Sequence, residues 1–178
     1  MKKFVLVSMC GLFAIFSFAQ SRVNFTLNNR CEYIIKGAEK DFYVFPYEGE
    51  TQAALYNKAL MGVTKTFVSA KDVVSKVENS MISINSTHRI EYYIAGGLVK
   101  VINDVNYIVE MEFKDGKIKV NAPQIVAIRN NKGQVAPTRD FLLNSSGQLA
   151  TGWERYLFVN DVINNILSSI KKSSNDDW

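Results

Sequence analysis

Residues 105–128 constrain the fold of this chain more tightly than any other stretch. Asp115-Gly116 is a two-residue turn signal of the kind that accepts positive φ. Taking it as a hairpin loop pairs Lys114 with Lys117, Phe113 with Ile118, Glu112 with Lys119 and Met111 with Val120. One face then carries Val109, Met111, Phe113, Ile118, Val120 and Ala122. The other carries Glu110, Glu112, Lys114, Lys117, Lys119 and Asn121. So clean a split means one face packed and one face wet. A slip of one residue would drive the charged row into the core, so the register is strongly specified. The opposite charges at 112 and 119 add about 0.2–1 kcal/mol, against which the lysine pair at the turn works. Past Pro123 the alternation blurs at Ile125, Val126, Ala127 and Ile128, which predicts either cover on both faces or a bulge.

A half-wet sheet needs something apolar on its other side. Thr51 can cap a helix running to about Phe67, in which Leu55, Ala59, Val63 and Phe67 recur every four residues and Tyr56 and Leu60 widen the stripe. Gly62 inside it costs about 1 kcal/mol relative to Ala, or permits close approach to a sheet. Near the C-terminus, Thr151-Gly-Trp-Glu154 fits a capping box. The helix after it puts Tyr156, Val159, Ile163, Ile166, Leu167 and Ile170 on one side. Asn160, Asp161, Asn164, Asn165, Ser168 and Ser169 fall on the other. Strand formers crowd 42–47, where Pro46 marks an edge or an end. Short strands are expected at about 72–77, 81–86, 89–95 and 98–102, with turns at Gly96-Gly97 and Asn103-Asp104. Residues 129–150 are polar, a connection of a length usually functional or mobile, pinned by Phe141-Leu142-Leu143. Two one-sided helices and a one-sided sheet can bury their apolar surfaces only against each other. The expected fold is therefore α+β, a two-layer sandwich with both helices on one face of an antiparallel sheet.

The N-terminus carries an address. Met1-Lys2-Lys3 is a short positive start, Phe4 to Phe18 contains no charge, and Ser17-Phe18-Ala19 places small residues for a cut before Gln20. That is the pattern of a secretory signal peptide, and the apolar run falls short of the roughly 20 residues a spanning helix needs. Cys10 lies too early in the run, behind the bulky Met9, to be a lipid-modified cysteine. The expected division is 1–19 signal, 20–41 N-terminal extension, 42–172 a single domain and 173–178 a tail. Of 178 residues, 178 less 19 leaves 159, enough for one core. The signal's two lysines bring the net charge from +4 down to +2. The remaining basic residues alternate with acidic ones, so no stripe for nucleic acid forms. No later stretch is apolar enough to cross a membrane, and the expected location is the periplasm or the exterior.

Several pieces together resemble a known group. Phe42-Tyr-Val-Phe-Pro-Tyr is followed by Leu55-Tyr56-Asn57-Lys58-Ala59-Leu60, then Met81-Ile-Ser-Ile84, then Tyr107 to Lys117 with its Phe-Lys-Asp-Gly-Lys hairpin, then an amphipathic helix. This is similar to the secreted Bacteroidetes-type domains of unknown function described as having a TBP-like fold. The resemblance implies a curved antiparallel sheet with two helices and an envelope address. It brings no catalytic residue, and fold does not fix function. Where such domains usually carry an aromatic in the first helix, this chain has Met61-Gly62.

Chemistry is sparse. His88 is the one histidine, in Ser86-Thr87-His88-Arg89, which reads as an exposed turn. With one histidine and one cysteine, Cys31, after the signal, neither a zinc site of three or four such ligands nor a disulfide can form within one chain. No cofactor loop is present, and none is expected. Glu110 and Glu112 share a strand face and could act as acid and base on a glycoside, although Lys119 opposite favours a solvated, ion-paired face. Tyr92 and Tyr93 could hold sugar or peptide. The expected function is a non-catalytic binding or interaction module for an envelope protein or glycan. Glu110, Glu112, Lys117, Lys119, Tyr92 and Tyr93 are its candidate binding residues. The alternative is a small carboxylate-dependent hydrolase of envelope or dietary polymers.

Overall fold

The computed structural model describes residues 22–38 and 40–175, so the signal segment and the end of the tail lie outside the described residues. Strands β1 (Phe25–Leu27) and β2 (Tyr33–Ile35) form a small hairpin. β3 (Phe42–Pro46), helix α1 (Gln52–Thr66), a turn of helix α2 (Ala70–Val73) and β4 (Val74–Val77) follow. Then come β5 (Met81–Ile94), β6 (Val99–Lys114), β7 (Lys117–Asn121), β8 (Gln124–Arg129) and β9 (Val135–Ala136). A short α3 (Thr138–Leu142), a 3-10 segment Trp153–Leu157 and the long α4 (Phe158–Asn175) complete the chain.

The main sheet is antiparallel in the order β3-β7-β6-β5-β4, with β8 continuing along β6 beyond β7 and β9 outside β8. The register at the central hairpin is the expected one, pairing Met111, Glu112, Phe113 and Lys114 with Val120, Lys119, Ile118 and Lys117. Val109, Met111, Phe113, Ile118 and Val120 are buried. The turn itself is anchored: the Gly116 N–H donates to Glu50 O, Tyr47 N–H donates to Gly116 O, and Asp115 Oδ1 accepts from the Gln52 N–H. A carboxylate thus stands at the positive end of α1, which has no acidic residue in its own first turn. Past Pro123 the ladder shifts between Asn106 and Tyr107, leaving Val126 bulged and exposed. Of the two readings of that stretch, the bulge is the one the chain adopts.

Both long helices lie on the inner face. α1 starts at Thr51, whose hydroxyl accepts from the Ala54 N–H, and buries Leu55, Tyr56, Ala59 and Val63. α4 buries Val159, Ile163, Ile166, Leu167 and Ile170. Gly62 does mark a close approach, but to α4: a Cβ there would lie 3.0 Å from Ile166 O.

Five expectations need correction. The four short strands between 72 and 102 are β4 and two long strands, β5 and β6, which pair without a break from Met81–Glu112 to Ile94–Val99. Asn103-Asp104 is strand and not turn, and Asn103 is buried. The pattern looks interrupted because polar residues fall on both faces of a continuous ladder, Asn103 among them on the inner one. At Thr151–Glu154 no side-chain cap forms; Gly152, at φ 81, precedes the 3-10 segment that leads into α4. Residues 20–41, whose polarity reads as an extension, supply Val23, Phe25, Leu27 and Tyr33 to the core. The connection 129–150 is built from β9, α3 and a Leu143–Leu149 bridge.

One loop design occurs three times. Asn28, Asn130 and Asn144 each accept through Oδ1 from the N–H groups two and four residues on, and each exchanges backbone bonds across the loop. The fourth residue of each loop is left-handed: Cys31 at φ 63, Gly133 at φ 76 and Gly147 at φ 73. Only Cys31 bears a Cβ there. Left-handed backbone costs an L-residue roughly 1–2 kcal/mol, against about 0.5–1 kcal/mol for the added freedom of an unfolded glycine. Cys31→Gly is therefore expected to stabilise the protein by about 0.5–1 kcal/mol in urea unfolding. A loss would mean that packing of the half-buried thiol outweighs the strain.

Candidate functional site

Because both long helices cover the inner face, the outer face of the sheet is an open, ordered surface. It carries Glu110 and Glu112 from β6, Lys117, Lys119 and Asn121 from β7, and Phe42 and Val44 from β3. Cross-strand register fixes these neighbours, since Val44 pairs with Lys119 and Lys119 with Glu112. Lys119 Nζ donates to Glu112 Oε1 at 2.9 Å, and Asn121 Nδ2 donates to the same oxygen at 3.0 Å. These bonds hold the Glu112 carboxyl below its ordinary value. Lys119 Nζ also sits 4.9 Å from the centre of the Phe42 ring, and Lys40 Nζ 5.6 Å from it. Val44, Glu112, Lys114, Lys117 and Lys119 line a small depression of about 190 Å³.

Four of the six expected residues, Glu110, Glu112, Lys117 and Lys119, thus share one surface. Tyr93 lies on that same face but opposite Lys100, ten residues along β6 from Glu110, which at about 3.3 Å per residue is roughly 30 Å away. Tyr92 points the other way, by the alternation of the strand. Its ring lies 3.7 Å from the Arg155 guanidinium, and its hydroxyl stands 3.5 Å from Asn103 Nδ2. Adjacent tyrosines in a strand cannot serve one surface. Phe42, Val44 and Asn121 join the site without having been singled out as site residues. Alternation within 42–46 could have placed the first two on one face, but which strand they border is a long-range fact.

His88 is exposed, as expected, but stands in a strand and not in a turn. It lies in mid-β5 on the inner side, its ring stacked on Phe158 at 4.0 Å and 14°, with Tyr107 edge-on to the same Phe158. Desolvation lowers its pKa from 6.5. A depressed imidazole means that the unfolded chain takes up the proton first, so stability falls as pH drops below about 6.5, the ordinary histidine value. With a single histidine the test is direct: its NMR titration should have a midpoint under 6.5, and His88→Phe should flatten the pH dependence of stability just below neutrality. A midpoint above the ordinary value would contradict the stacking.

Among the described residues, no group of three or more His, Cys, Asp or Glu side chains could hold a metal, and no helix is long and apolar enough to cross a membrane. Cys31 is half-buried in its loop, and burial raises its thiol pKa, the opposite of an activated nucleophile.

No protein-family model matches the chain, and no curated protein matches its sequence. Solved structures do match. A DUF4468 family protein from Bacteroides ovatus superposes with a TM-score of 0.56 at 14% identity, over 85% of this chain and 91% of that one. A TBP-like protein from Parabacteroides distasonis gives 0.49 at 13% identity, over 77% and 92%. The architecture is the α+β arrangement expected from the resemblance to Bacteroidetes-type domains of unknown function, an antiparallel sheet with helices packed against it.

Proposed function

We propose that this chain is an exported, non-catalytic interaction module that binds a protein of the cell envelope through the outer face of its sheet. The observation carrying this reading is the open face itself. A row of ion-paired and cation–π-held side chains borders a small depression of about 190 Å³. Ligand pockets are usually larger, about 300–1,000 Å³. A carboxylate hydrolase would need one of Glu110 and Glu112 to hold a proton near neutrality, and the lowering of Glu112 works against that role. A glycan would want a free aromatic platform, but Tyr92 faces inward, Tyr93 is remote and the Phe42 ring has Lys119 and Lys40 beside it. Export rests on the pattern of residues 1–19.

The test compares the wild-type chain with Lys117→Glu/Lys119→Glu as bait against envelope extract, with a glycan array alongside. One defined partner, held by the wild type and released by the variant, is the expected result. Equal capture by both, or a glycan hit without a protein partner, would overturn the reading. Exported material should begin at Gln20 by mass spectrometry.

A further inference from the structure

The β5–β6 hairpin outruns the rest of the sheet. β4 pairs with β5 only over Met81–Ile84, and β8 and β7 pair with β6 only from Asp104 onward. Phe113 N–H donates to Ser80 O. Alternation along an antiparallel ladder then turns the backbone groups of even-numbered β5 residues toward β6 and those of odd-numbered residues outward. β4 takes up Met81 and Ser83. Among the described residues no strand takes up Asn85, Thr87, Arg89, Glu91 and Tyr93, all five of which are exposed. Such an edge is a template for another strand.

We infer that a second copy of this chain pairs with it, β5 against β5 in antiparallel register about a two-fold axis at Ile90. Only the odd residues offer free N–H and C=O groups, so odd must meet odd. A symmetric pairing therefore has its axis at a residue. An axis at Arg89 sets Arg89 against Arg89 of the second copy, and one at Glu91 sets Glu91 against its equal; like charges directly opposite are unfavourable. An axis at His88 sets Thr87 against Arg89 and leaves the charges uncompensated. The axis at Ile90 alone sets Arg89 against Glu91, twice, with Thr87 against Tyr93.

Within each chain Arg89 already bonds Asp104, Nε to Oδ1 at 2.8 Å, and Lys100 Nζ lies 2.7 Å from Glu91 Oε2. Pairing therefore joins these ion pairs into two rows of alternating charge: Asp104, Arg89, Glu91 of the second copy, Lys100 of the second copy. The two sheets become one across the axis. This edge lies away from the depression around Glu112 and Lys119, and the inference does not depend on that surface binding anything.

The experiment uses sedimentation equilibrium on the mature chain. The wild type should show twice the chain mass. Arg89→Glu and Glu91→Arg, each of which sets like charges across the axis, should both be monomeric at the same concentration. Mixed one to one they should recover the doubled mass. One variant is then acidic at both positions and the other basic at both, so every pair across the axis is again of opposite charge. Thermal unfolding of each variant checks that the fold survives. If either fails to fold, Glu91→Pro removes an outward N–H together with the charge, without setting like charges opposite, and should give a monomer. A wild type that stays monomeric at the highest attainable concentration overturns the inference. So do a dimer insensitive to all three substitutions, variants that do not recover on mixing, and a higher assembly that persists in them.

Discussion

Replacing Asn164 by Ala should lower the melting temperature by about 4–24 °C and loosen residues 23–27 before any other part of the fold. The reason lies in how β1 is held. One edge of β1 pairs with β2. The other meets no strand among the described residues, yet its peptide groups are satisfied, because α4 presents two amides to them. Asn164 Oδ1 accepts from Val23 N–H at 2.8 Å, and its Nδ2 donates to Val23 O at 3.1 Å. Asn160 does the same for Phe25, with both bonds at 2.9 Å. The spacings agree for a geometric reason. Four residues of helix rise about 6 Å, and two residues of strand rise about 6.6 Å. Each carboxamide therefore stands where the next strand's peptide would be. Asn164 is buried, so its loss strands one N–H and one C=O without water, at about 1–3 kcal/mol each. At about 2–4 °C per kcal/mol for a chain of this size, the melting shift follows. Asn160→Ala should cost less, because water reaches that half-exposed site. Hydrogen exchange read at Val23 and Phe25 separates this account from a general loss of stability. An unchanged melting temperature in Asn164→Ala would mean that the amides do not hold the strand.

A second large effect is expected at Gly62. A Cβ built there meets Ile166 O at 3.0 Å, Ile166 Cγ2 at 3.2 Å and Ile166 Cα at 3.3 Å. Two of these atoms are backbone of α4, which cannot rotate away. Gly62→Ala gains about 1 kcal/mol of helix propensity and loses a comparable amount to the tight contact, so the net change should be small. Gly62→Val adds two methyl groups on the same line and must push α1 and α4 apart. Overpacking of this kind costs about 1–3 kcal/mol, and here the upper end applies because the obstacle is main chain. Urea midpoints for the three proteins should fall in the order Gly, Ala close behind, Val well below. A valine variant as stable as the wild type would show that the helices do not need this contact.

The candidate surface was legible only where the pattern was local. Glu110, Glu112, Lys117 and Lys119 emerge together because a two-residue turn fixes the register of its own flanks, and one register keeps charges out of the core. Tyr92 and Tyr93 group by composition alone, although period-2 alternation sends neighbours to opposite faces. His88 reads as a turn residue because Ser86, Thr87, His88 and Arg89 are all polar. In the fold they form the mid-section of a long arm, and one face of the His88 ring is covered by Phe158 from a helix far along the chain.

Sequence by itself determined the one-sidedness of α1, α4 and the 109–122 hairpin, and hence the two-layer α+β class, since periodicity is a local property and apolar stripes must find one another. Tertiary structure alone decided that residues 23–35 belong to the core, and that Asn160 and Asn164, which read as a wet helix face, stand in for a missing strand. It alone left the outer edge of β5 without a partner strand among the described residues. The physical reason is common to all three: a backbone hydrogen bond is made by nearly every residue type, so the side-chain sequence does not record which peptide group meets which partner until the chain has folded.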